Sequence, residues 1–143
     1  MNDNAPNSED ALHLLPRPLP ADRVDRIVLI CIRRMAAHGI RDAHAAWLAL
    51  DTFGVHFRRP LVLLRAFLLE LAQASCRSIK IAPCCALRMT EDEARIMDML
   101  EMAACDPPGA EYELSRRASS PGISEALSAA IVFARSLDDA AKR

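Results

Sequence analysis

Two adjacent cysteines, Cys84 and Cys85, lie in the run Ala82-Pro83-Cys84-Cys85-Ala86-Leu87-Arg88-Met89-Thr90-Glu91-Asp92-Glu93, whose side-chain chemistry is more particular than packing requires. Thiolates bind borderline metals, and zinc or iron is the ion that a cysteine–histidine set would hold. The pair lacks the C-x-x-C spacing of a zinc knuckle, and adjacent residues of an extended segment point in different directions. A workable set therefore needs Cys84 or Cys85, with Cys76 as a further donor, and histidines from elsewhere. His38 and His44 flank Gly39, and a bend there would let their imidazoles converge. The rival chemistry is a reactive thiol, since Arg77, Lys80 and Arg88 surround the pair in sequence and favour thiolate. Glu91, Asp92 and Glu93 oppose it, because they already occupy the positive end of the following helix. The plainer reading is one buried cysteine and one exposed cysteine.

Phe57-Arg58-Arg59-Pro60 offers a second chemistry. Arg58 and Arg59 stand just before an expected helix start, where guanidinium forks and free backbone N–H groups could bind phosphate or carboxylate. Positive charge there works against the helix dipole, and Asp42 or Asp51 could neutralise the pair instead. The chain has no Gly-rich phosphate loop, no G-x-S-x-G and no H-E-x-x-H, so no catalytic residue is assigned.

The elements that must position these groups are helical. The 143 residues suffice for one domain, and hydrophobic residues make up 52% of them but aromatics only 4%. A core built from Leu, Ile, Val, Ala and Met, with few glycines, favours helix over strand. The fold expected is all-α, a compact single-domain bundle of five to six helices over residues 21–143. Residues 1–20, with prolines at 6, 16, 18 and 20, read as a disordered or loosely docked arm. Leu12, Leu14, Leu15 and Leu19 would let it dock in extended form.

Local signals set the helix bounds. Asp22 is an N-cap, and Val24, Ile27, Val28, Cys31 and Met35 recur at helical spacing before Gly39. A second helix runs from about Asp42 to Gly54, with Trp47, Leu48 and Leu50 available for burial. A third, from Pro60 to Ala74, is apolar on nearly every face and should be central, and its Arg65 and Glu70 are spaced too far to pair. Ser78 to Pro83 alternates as an extended segment. Thr90 and Glu93 form a capping-box pattern that opens a helix from Glu91 to about Ala104, with Ile96, Met99, Leu100 and Ala103 inward. Asp106-Pro107-Pro108-Gly109 is a breaker, followed by a short helix over 110–117. Ser120-Pro121 caps a last helix with the stripe Ile123, Leu127, Ala130, Ile131, Ala134 and Leu137.

Several functions are excluded. Net charge is −1, which supplies no general attraction to nucleic acid or anionic lipid. Residues 43–71 outline a helix-turn-helix, but the second helix is far too apolar to read base edges. No stretch is long and apolar enough to span a bilayer, since Arg65 and Glu70 interrupt the best candidate. A polar start without an apolar h-region, and five irregularly spaced cysteines, indicate the cytoplasm. Methionines 35, 89, 97, 99 and 102 read as core filler before they read as a pliable surface.

The segments His38-Gly39-Ile40-Arg41-Asp42-Ala43-His44-Ala45-Ala46, Phe57 to Arg65, Ala82-Pro83-Cys84-Cys85 and Arg88-Met89-Thr90 resemble a family of short uncharacterised bacterial proteins carried as a domain of unknown function. The resemblance spans roughly residues 22–105 and implies a free-standing small protein without implying an activity. The expectation is a non-catalytic accessory or regulatory protein that requires no cofactor and acts through a protein partner or self-association. The alternative is a metal- or thiol-dependent protein using Cys84, Cys85, His38 and His44.

Overall fold

The computed structural model describes residues 15, 17–116, 118 and 120–142. Six α-helices account for most of them: α1 (Arg23–His38), α2 (Ala43–Phe53), α3 (Arg58–Ala74), α4 (Glu91–Cys105), α5 (Pro107–Ser115) and α6 (Ser120–Ala141). A two-stranded antiparallel ladder joins β1 (Arg17–Pro18) to β2 (Arg88–Met89), with Arg17 opposite Met89. The all-α bundle expected from composition is thus the observed fold. Leu12 and Leu14 lie outside the described residues. Leu19 docks as its pattern suggested, against Leu29, Met89 and Ala94.

Helix starts follow their caps. The Asp22 carboxylate accepts the Val24 and Asp25 N–H groups, and Asp42 accepts that of Ala45. Thr90 and Glu93 make the complete capping box. Gly39 (φ 103°) and Gly54 (φ 57°) end α1 and α2 in backbone conformations that disfavour any side chain.

Four local expectations need correction. Helix α3 begins two residues before Pro60, because the short 3-10 turn Gly54–His56 feeds straight into it, so Arg58 and Arg59 are helical. Pro107 and Pro108 do not merely break the chain. Asp106 closes α4 and caps α5, and prolines are tolerated in a first turn whose N–H groups lack intrahelical partners. On α2 the buried residues are Ala45 and Ala49, while Trp47 is 58% exposed and Leu50 45% exposed. Two alanines one turn apart let α2 lie close to α1, where the Cys31 thiol approaches the Ala45 carbonyl at 3.6 Å. The larger side chains are left on the far side.

The fourth concerns α6, whose buried centre is Ala126, Ala130, Phe133 and Ala134, with Ile123, Leu127, Ile131 and Leu137 flanking it half-buried. Gly122, Ala126, Ala130 and Ala134 recur every four residues, a row of small side chains along one face. Helix α6 makes its most extensive contact with α3, whose buried side carries Leu61, Leu64, Phe67, Leu71 and Ala74. Helix α3 is central as expected but not enclosed, since Val62 and Leu69 remain exposed. No described helix is long and apolar enough to cross a membrane.

Candidate functional site

The cysteine pair occupies the two corner positions of a turn closed by Ala86 N–H donating to the Pro83 carbonyl at 3.0 Å. That turn is fixed from below by a buried ion pair. Arg33 of α1 donates through Nε to Glu93 Oε1 at 2.8 Å and through Nη2 to Oε2 at 2.9 Å, with both side chains essentially inaccessible. Its remaining donors reach the Ala86 carbonyl at 2.8 Å and the Arg88 carbonyl at 2.9 Å. Glu93 also accepts the Ala82 and Thr90 N–H groups. The turn is thus held mainly by main chain, one guanidinium and one carboxylate, and the Cys84 side chain adds a hydrogen bond with Arg34 of α1.

Burying two charges is costly unless every donor and acceptor is met, and here each is met by a protein partner. The capping box announced Glu93, but its burial was not legible. Arg33 was missed. The available signal was its place one turn beyond Leu29, on the side of α1 that continues the buried surface.

The thiol environment differs from the one read in the sequence. Cys84 is half-buried and Cys85 exposed. The cation beside Cys84 is Arg34 of α1, which also pairs with Asp42 at 3.0 Å, so one of the two acids, Asp42 and Asp51, that could neutralise Arg58 and Arg59 is committed elsewhere. His38 and His44 are both exposed, and His44 stands edge-on to Trp47 with ring centroids 5.8 Å apart. Among the described residues no three His, Cys, Asp or Glu side chains converge as a metal site. Burial, with Asp42 adding to it and Arg65 opposing, pushes the Cys31 thiol up to about 11. That thiol is an inert core group.

Arg58 and Arg59 do come together. With His56 they line a cavity of about 290 Å³ at the start of α3, and Asp139 of α6 stands in the same lining. The carboxylate counters the positive charge an anion would need.

The hydrogen bond from Arg34, assisted by Ala45 N–H and opposed by burial, holds the Asp42 carboxyl below its ordinary value of 3.8. A depressed folded-state value means stability that is present above the unfolded value and lost as pH falls through the folded one. Urea midpoints below about pH 5 should therefore fall less steeply for Asp42→Asn, which keeps the N-cap oxygen. Parallel curves for the two proteins would remove Asp42 from the acid response.

A larger space lies elsewhere. A solvent-open cleft of about 450 Å³ is walled by Ile32, Met35, Ala36 and Ile40 on and after α1, by Leu68, Leu69, Leu71 and Ala72 on α3, by Ser75, Arg77, Ser78, Ile79 and Ile81 of the connector, and by Ile96 of α4. That size lies in the range of small-molecule sites, about 300–1,000 Å³. Arg33 adjoins Ile32 and Glu93 precedes Ile96 by one turn, so the buried ion pair sets the separation of two cleft walls. The connector is held in turn by Asp92, which accepts Lys80 N–H at 2.8 Å, and by Thr90, whose hydroxyl donates to the Lys80 carbonyl at 2.7 Å. The alternation Ser78-Ile79-Lys80-Ile81 thereby places both isoleucines on the cleft.

A model described as a family of unknown function (DUF6628) matches residues 6–143. The chain belongs to this family. The DUF6628 match adds residues 6–21 and 106–143 to the stretch of roughly 22–105 covered by the motif resemblance. No curated protein and no solved structure matches the chain. The cleft, the cysteine turn and the arginine cavity are therefore read from their own geometry.

Proposed function

We propose that this member of DUF6628 is a non-catalytic binding protein of the cytoplasm, accessory or regulatory in role, whose working surface is the apolar cleft between α1, α3 and the connector. One observation carries the reading: a cleft of about 450 Å³ lined mainly by Ile, Leu, Met and Ala, two of whose walls, α1 and α4, are joined by a buried ion pair. Rigid, largely apolar concavities with few polar groups are the usual form of a binding site. The sequence supports the non-catalytic half of the proposal, since it carries no familiar nucleophile or metal motif.

The test is titration with a neutral apolar fluorophore, N-phenyl-1-naphthylamine. One saturable site per chain is expected. It should vanish in Ala36→Glu/Ala72→Glu, which charges two exposed positions of the lining while leaving helicity by circular dichroism unchanged. Unsaturable uptake, or equal uptake by the folded double variant, would sink the reading.

A further inference from the structure

We infer that the guest of this cleft is a medium-chain fatty carboxylate, its alkyl chain lying along α3 and its headgroup meeting Arg77. The inference rests on the reading of the cleft as a binding site and names what it takes.

Charge comes first. The lining contains one ionisable residue, Arg77, so the cleft is an apolar trough with a single positive group. Arg77 is exposed, and no carboxylate pairs with it among the described residues. The acids that engage the connector are committed, Asp92 to Lys80 N–H and Glu93 to Ala82 N–H and Arg33. The nearby hydroxyl of Ser75 is also spent, donating to the Leu71 carbonyl at 2.7 Å. A guanidinium left without a partner beside an apolar trough matches a ligand with an anionic end and a hydrocarbon body. Its planar fork suits a carboxylate, which it can grip through two parallel N–H donors.

Shape sets the chain length. From Leu68 to Ser75 the α3 wall runs about 10 Å at 1.5 Å per residue. An extended alkyl chain with C–C bonds of about 1.5 Å advances about 1.25 Å per carbon, so about eight carbons match the wall. A ten-carbon acid then carries its carboxylate past Ser75 towards Arg77. An anionic bilayer surface fits less well, because one arginine in a chain of net charge −1 is not the basic cluster that such surfaces attract.

The experiment is calorimetric titration of the full chain with hexanoate, octanoate, decanoate and uncharged decanol, repeated on Arg77→Gln. Decanoate should bind one per chain, and affinity should fall about fourfold for each CH₂ removed. Arg77→Gln should weaken decanoate about tenfold, as loss of a charge-assisted hydrogen bond requires, and leave decanol unchanged. Decanol binding as tightly as decanoate, with a silent Arg77→Gln, overturns the carboxylate assignment while sparing the cleft. Saturable binding of neither overturns both. A chain that is dimeric by light scattering and becomes monomeric with Ala72→Glu assigns the cleft to a second copy and also overturns the proposal.

Discussion

Arg33→Met is expected to lower stability at neutral pH by about 3–5 kcal/mol, read as the shift of a urea unfolding midpoint at constant slope. The reason lies in what remains behind. Methionine fills most of the arginine volume, so little packing is lost, but Glu93 is left without its partner in a site closed to water. The Ala86 and Arg88 carbonyls lose their donor at the same time. Glu93→Leu should cost a similar amount, since it strands the guanidinium and also frees the Ala82 and Thr90 N–H groups. Removing both charges in Arg33→Met/Glu93→Leu should cost clearly less than the sum of the two, because a missing pair is cheaper than a broken one. Additive single and double variants would show that Arg33 and Glu93 do not act as a unit. Total domain stability is about 5–15 kcal/mol, so either single change consumes a large share of it.

Gly122→Ala is the second large effect, and its sign is contested by two forces. Alanine is the better helix former by about 1 kcal/mol. Against that, a Cβ at position 122 would stand 2.6 Å from the Ala74 Cβ and 3.0 Å from the Ala74 Cα. The obstacle is the backbone of α3 and a methyl group with no rotamer to escape into, so the helices must move apart. Overpacking of this kind costs about 1–3 kcal/mol, and the position lies in the first turn of α6, where propensity counts least. A net loss is expected, measured as a lower thermal midpoint. A rise on Gly122→Ala would mean that the α3–α6 spacing is soft.

The helices were legible because their ends are written locally. Asp22, Asp42 and the Thr90–Glu93 box are each a cap whose partners lie two or three residues away, and the sequence shows both members. Burial on α2 was misread because hydrophobicity was taken as the guide, and Ala45 and Ala49 are small enough to admit a neighbouring backbone while Trp47 is not. The stripe on α6 was displaced for the same reason: Phe133 fills the core between alanines. Arg58 and Arg59 line one cavity, yet Asp139 across it comes from a helix about 80 residues later. The cleft was not legible at all. Concavity arises where the connector crosses two helices, and no local pattern encodes where a chain fails to fill space. Ile79 and Ile81 hinted at it only as an alternation.

The Arg33–Glu93 bond joins residues 60 apart, and the cleft draws its walls from the same stretch, 32 to 96. No shorter fragment contains all of them. On the proposed reading, a guest that binds only the folded chain stabilises it: at a hundred times its dissociation constant it would add about 2.7 kcal/mol to unfolding, close to the lower end of what loss of the ion pair removes. Ligand and clasp thus act on the same unit, and a chain weakened at Arg33 should lose part of its hold on the guest together with its stability.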